Sequence, residues 1–289
     1  MLTTFLIPPH SDLNEFIFNY SLCKSRSPIK SLALPWIAHH DTSLCFYLAD
    51  VPKQISDGNA KPVSVNINRT TLFGLLTQCR GEMIFEGKYH TFIIEFKPNG
   101  FNRLFGIPAS DICDGVFSAN EVIGDTIEKL YERLVNSANV RQMVSHTDNF
   151  LFGFLKRRKV VYSNNGITRI SNQLLTNSLP NISQYALQAN MSIRNFERRF
   201  REQVGTSPKL FCRLLRFSVA VQSKMVNPEK SWTDISFDCN YYDSMHMIKE
   251  FKQFANVSPV AFFEENPFLS QETFSTFKRE APVEVHAVK

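Results

Sequence analysis

The chain has 289 residues, 43% apolar and 20% charged with 26 phenylalanines, which is enough buried material for two domains and excludes a disulfide miniprotein, a peptide hormone or a disordered chain. No run approaches the ~18–20 apolar residues of a membrane span, and the first ten residues are interrupted by Pro8 and Pro9 with no basic start, so no membrane association and a cytoplasmic location are expected. The net charge of +5 averages two unlike halves: residues 1–150 carry 13 basic against 15 acidic side chains, whereas 156–225 carry 13 against only 2 (Glu197 and Glu202), a local surplus that favours polyanions.

In chain order, residues 11–20 show Leu13, Phe16, Ile17 and Tyr20 at helical spacing, which predicts a helix. Residues 43–48, 63–67 and 89–96 are rich in aromatic and β-branched side chains and are separated by Pro, Gly, Asn and Asp, which predicts a small antiparallel sheet or barrel. A short helix is expected at 100–105. From Asp125 the apolar period lengthens: Ile127, Leu130, Tyr131 and Leu134 predict one helix and residues 144–155 a second, a pair that offers a surface to a second copy of the chain. Cys23, Cys45, Cys79, Cys113, Cys212 and Cys239 are scattered, with no zinc-ligand spacing, and read as reduced thiols. Adjacent His39 and His40 would point to opposite faces of a strand, so neither a metal nor another cofactor is expected.

Polar residues 162–166 mark a boundary, after which only helices are predicted: 167–176, then, past a break at Leu179-Pro180, 181–189 capped by Asn181 and 192–204 capped by Ser192. Pro208 opens a long helix to about residue 225, stopped by Asn227-Pro228. Ser231 with Asp234 makes a capping-box-like start, Asp243 caps a helix to 254, and a turn follows at 259–263. The fold class is α+β: a mainly β domain over 1–160, a linker at 161–166, an all-α domain over 167–265 and a tail over 266–289.

The all-α region repeats itself. Phe196 aligns with Met247, Phe200 with Phe251 and Pro208 with Pro259 at an offset of 51, while upstream Ala186 aligns with Ser236 and Asn190 with Asn240 at 50. Each copy reads short helix, tight turn, longer helix, the helix-turn-helix pattern whose second helix enters the DNA major groove. With Phe196 and Phe200 in the core, the first unit would present Ser192, Ile193, Arg194, Asn195, Glu197, Arg198, Arg199 and Arg201 to DNA. The second would use Ser244, Met245, His246, Ile248, Lys249 and Lys252. Arginines on such a face grip guanine edges and phosphates. Trp232 and Phe237 are expected in the core with Phe196 and Phe200, and Asp243 is expected to act as a cap.

At these residues the sequence resembles the AraC/XylS family of bacterial transcription regulators. ISQYALQANMSIRNFERRFREQVGTSPKLFCRLLRFSVAVQSKM (182–225) and ISFDCNYYDSMHMIKEFKQFANVSPVAFF (235–263) carry the likeness, and FKPNGFNRLFGIP (96–108) resembles part of one branch's sensing domain. Asn190, Asn240 and Asn256 stand where that family has Gly, Ser236 where it has Ala, and Lys249 where it has Arg, whereas Gly205 is retained. The resemblance implies two recognition helices in successive major grooves of double-stranded DNA, a small-molecule effector sensed by the first domain, pairing into a homodimer, and RNA polymerase as a protein partner. The alternative is an effector-independent DNA-binding protein whose first domain only dimerises or holds a protein partner. An apolar, solvent-open cavity in that domain would favour sensing, and a filled barrel would favour the alternative. No phosphate loop, nucleophile elbow or paired carboxylates suggest an enzyme.

Overall fold

A computed structural model describes residues 2–55, 67–158, 166–176 and 181–266. Nine strands are described, all in the first domain: β1 Leu2–Ile7, β2 Ile17–Ser25, β3 Ile29–Pro35, β4 Thr42–Tyr47, β5 Lys53–Ile55, β6 Thr70–Phe73, β7 Glu82–Gly87, β8 His90–Phe96 and β9 Val116–Ser118. Six form an antiparallel sheet in the order β1-β2-β8-β4-β6-β9, and three form a second in the order β3-β7-β5.

The strand period of two sorts the side chains of the larger sheet. Leu44, Phe46, Phe92, Ile94 and Phe96 face one way and pack under helices α1 (Gly100–Phe105), α2 (Ala119–Ile123), α3 (Thr126–Val135) and α4 (Val140–Arg158). Cys45, Tyr47 and Ile93 face the other way and meet Trp36, Phe73 and Phe85, which closes the space between the sheets. Gly100 opens α1 where a Cβ would lie 1.9 Å from the Phe16 carbonyl oxygen, so only glycine fits there. Tyr20 donates to Asp148 at 2.7 Å and ties β2 to α4.

The helix expected over 11–20 does not form. A 3-10 turn, Ser11–Leu13, leads directly into β2, and the register slips between Ile17 and Asn19. That irregularity brings Ile17 and Tyr20, three apart, into one core with Leu13 and Phe16, which is why the apolar spacing imitated a helical one. Strands β4 and β8 and helix α1 match the expected segments, whereas residues 63–66, the linker at 161–165 and the tail from 267 lie outside the described residues. Ile127, Leu130 and Leu134 of α3 enter the chain's own core.

Beyond the boundary the described elements are helices: α5 Gly166–Thr176, α6 Ile182–Gln188, α7 Ile193–Val204, α8 Pro208–Val226, α9 Trp232–Asp238, α10 Ser244–Ala255 and α11 Pro259–Glu265. Phe196, Phe200, Phe211, Phe217, Phe251 and Phe254 are each fully buried in a core shared by both halves of the repeat. No described helix is long and apolar enough to cross a membrane, and all six cysteines are free of disulfides.

Candidate nucleic-acid interface

Each unit is built by local rules. Asn181, Ser192, Ser231 and Asp243 cap α6, α7, α9 and α10, each side-chain oxygen accepting the backbone N–H three residues on at 2.7–3.3 Å. Asn190, Asn240 and Asn256 take φ of 55°, 56° and 64°, the left-handed region where asparagine is the best-tolerated side chain after glycine. At φ 107°, Gly205 closes α7, and a Cβ there would crowd the Ala109 carbonyl oxygen of the first domain at 3.3 Å. The unit boundaries foreseen from the repeat are therefore the boundaries found.

The first recognition helix, α7, turns Phe196, Phe200 and Val204 inward. Ser192, Ile193, Arg194, Glu197, Arg198, Arg199 and Arg201 are exposed on its outer side, with Asn195 half-buried among them. Arg198 is held in place by Glu202, 3.3 Å from Nη1, and by Asn195 Oδ1, 3.1 Å from Nη2. The charge of Arg201 reaches the Cys113 thiol of the first domain.

The second recognition helix, α10, is different. Met245, Lys249 and Lys252 are exposed and Ile248 half-buried, but Ser244 Oγ lies 3.3 Å from Ser236 Oγ, and the His246 ring turns toward Tyr241 and Glu250. Glu250, 1% exposed, is bound by Arg213 Nε at 2.7 Å and Arg216 Nη2 at 3.0 Å, both from α8. Burial, then the Glu250 charge, push the Tyr241 hydroxyl pKa well up. This buried ionic group fixes α10 against α8, and sequence reasoning missed its role; the only sign was an acidic residue beside the core position Phe251. Two arginines of the basic block are thereby spent inside the fold.

Phe237 corrects an expectation. It is 82% exposed, because Ile235, Ser236 and Cys239 define the buried face of α9 and the helical phase puts Phe237 off it. Leu187, its equivalent in the first unit, is 76% exposed. Trp232 does pack as expected, with its ring 5.5 Å from those of Phe251 and Phe263.

The first domain touches both units. Asn99 Nδ2 donates to Thr168 Oγ1 at 2.8 Å and to Gln203 at 3.3 Å, and the Ala38 N–H donates to the Phe254 carbonyl at 2.9 Å. Between these contacts a cavity of about 440 Å³ is walled by Leu34, Trp36 and Met83 on one side and Phe217, Val221 and Met225 on the other. His39 and His40 both line it, contrary to the strand argument, because they sit outside the named strands at an isolated bridge to Leu76. Among the described residues no group of three or more His, Cys, Asp or Glu is placed to hold a metal ion.

Fold and site together define a DNA-binding domain of two helix-turn-helix units. Residues 185–265 match the family described as a helix-turn-helix domain, while residues 6–118 match a domain of unknown function, DUF6597. No curated protein sequence is a match. Solved structures similar to this one include ToxT from Vibrio cholerae O395, at 10% identity and a TM-score of 0.46 over 94% of this chain and 98% of that one. The same protein bound to (E)-4-(8-methylnaphthalen-1-yl)but-3-enoic acid gives 12% and 0.47 over 93% and 99%. Unsaturated fatty acid bound wild-type ToxT from strain SCE256 gives 11% and 0.43 over 91% and 94%.

Proposed function

We propose that the protein is a sequence-specific, DNA-binding transcriptional regulator whose helices α7 and α10 enter successive major grooves and whose DNA binding answers to a small molecule held between the first domain and α8. The observation that carries the reading is the capped helix α7, with its aromatic face fully buried and Arg194, Arg198 and Arg199 exposed, followed by a second unit of the same construction. Helix α8 has 19 residues, about 28 Å at ~1.5 Å per residue, a spacer of the size that separates recognition helices by one ~34 Å turn of DNA. Base reading falls to Arg194 and Arg198, and Arg199, Arg201, Lys249 and Lys252 hold phosphates.

Trp36, Tyr47, Phe73 and Phe85 pack together between the sheets, as expected of a first domain that only dimerises, but an open volume at the domain boundary, against the helix that spaces the two units, supports an effector bound there. A ligand there bears on α8 directly, which a first domain serving only as a dimerisation module would not provide. Selection of bound DNA from a random pool at fixed salt, with the footprint recorded, tests the reading. A site of about two helical turns per chain is expected, and binding without sequence preference would overturn it.

A further inference from the structure

The two recognition helices carry different side chains at the same place. At the offset of 51 that superposes the units, Met245 of α10 stands where Arg194 stands in α7, Ile248 where Glu197 stands and Lys249 where Arg198 stands. Met247, Phe251 and Phe254 turn inward. The phase of the helix therefore puts Met245 on the opposite side and in the first turn, where a recognition helix meets base edges. Met245 is 60% exposed. Ile248, half-buried, follows it by three residues, so the two make one apolar spot on the outer face. The neighbouring polar side chains are engaged elsewhere: Ser244 Oγ lies 3.3 Å from Ser236 Oγ, His246 faces the Tyr241 ring and lies 3.6 Å from Glu250 Oε1, and Gln253 is bound by Arg213. Where the first unit offers a guanidinium, the second offers a thioether, which donates no hydrogen bond.

We propose that Met245 and Ile248 read thymine in the second half-site through its C5 methyl group, while Arg194 reads guanine at the equivalent position of the first. In the major groove thymine alone among the four bases presents a methyl group. Pressing an apolar side chain against it removes that methyl from water, which is worth about fourfold in affinity. Guanine in the same place would bring two acceptors, O6 and N7, against a side chain that can donate to neither, and would lose the water that served them. The unbranched, polarizable thioether of Met245 settles on a methyl surface without demanding a fixed geometry. The operator is thus chemically asymmetric, read by hydrogen bonds at one end and by apolar contact at the other. This reading of thymine rests on α10 entering the groove as proposed above, and it gives base recognition to a helix otherwise left with phosphate contacts.

The test uses the full chain and the site selected from the random pool. Each thymine of that site is replaced in turn by deoxyuridine, which removes the methyl group and leaves the hydrogen-bonding edge unchanged. The half-site of α7 is marked by the guanine whose preference is lost in Arg194→Ala. The wild-type chain is expected to lose about fourfold at a thymine about one helical turn from that guanine, by the same factor at low and high salt because no charge is involved. Met245→Ala is expected to abolish that penalty and keep the guanine preference. Met245→Arg, which repeats the side chain of the first unit, is expected to shift a fresh selection from thymine to guanine there. Met245 is exposed, so both variants should unfold at the wild-type temperature, and the deoxyuridine scan of the wild-type chain stands without them. A second half-site selected without thymine, uracil tolerated at every thymine in it, or a penalty that persists in both Met245→Ala and Ile248→Ala would overturn the proposal and leave the regulator reading intact. A selection with no sequence preference would instead remove the regulator reading, and the thymine contact with it.

Discussion

Arg198 is held by Asn195 and Glu202 before any DNA arrives, so its guanidinium is already ordered and little rotamer entropy remains to be lost on binding. Lys249 in the second unit is an exposed point charge with no such fork. Arg198→Ala is therefore expected to cost about 1–3 kcal/mol and relax sequence preference, while Lys249→Ala weakens all sequences alike and lowers the salt slope by about 1. Parallel titrations on a selected site decide it, and equal effects on specificity would contradict the division. Glu250 is a different kind of residue. Removing it as Glu250→Ala leaves Arg213 and Arg216 facing each other in a buried place, with an expected loss of about 3 kcal/mol in denaturant unfolding. Glu95 adds a pH dependence. Burial first, then Asp41, raise its pKa, against the hydrogen bonds of Ser21 and Asn19. A raised folded-state pKa means that the stabilisation is fully present below the unfolded value and fades as pH rises through the folded one. Glu95→Gln should thus gain on the wild type in melting temperature as pH rises above the ordinary glutamate range, and a gap that shrinks with rising pH would refute the assignment.

At the scale of elements, the helical half was legible because its rules are local. Caps such as Ser207 and Ser258 sit directly before Pro208 and Pro259, and Phe196 and Phe200 mark the inward face by spacing alone. Asn190 and Asn240 stand where the resembled family has Gly, and both take left-handed backbone. Asn240→Ala is expected to cost about 1–2 kcal/mol and Asn240→Gly nothing, compared by thermal unfolding, because the former keeps a Cβ at positive φ and loses the side-chain amide that eases it, while the latter removes the Cβ. The first domain was less legible because its pairings are long-range. Nothing near Ile17 or Asn19 states that β8 will impose a register slip there, and the resulting apolar spacing pointed to a helix instead. The exposure of Phe237 was hidden for a related reason: its type argued for burial, and only the phase set by Ile235 and Cys239 argues against it. The cavity was invisible to sequence because its walls come from residues 34–41, Met83, α8 and Phe262.

For the molecule as a whole, the basic surplus over 156–225 overstates what DNA meets. Arg213 and Arg216 are committed to Glu250, and Arg169 donates to the Gln188 carbonyl. Besides Arg194 and Arg198, the exposed cations Arg199, Arg201, Lys209, Lys249 and Lys252 remain for phosphate. Neutralising about five phosphates gives a log–log salt slope of about −4.5. Binding measured across a range of ionic strengths checks this, and a slope near zero would leave the surplus without its assigned role.

The turn of the second unit, from Asn240 to Asp243, is one residue longer than that of the first, from Asn190 to Ser192, and it ends in a far less basic helix. The two units are thus not interchangeable, and a chain on its operator has a front and a back. Reversing the operator beside a promoter would present the opposite end of the protein to whatever stands next to it, so orientation, and not occupancy alone, should set the transcriptional output.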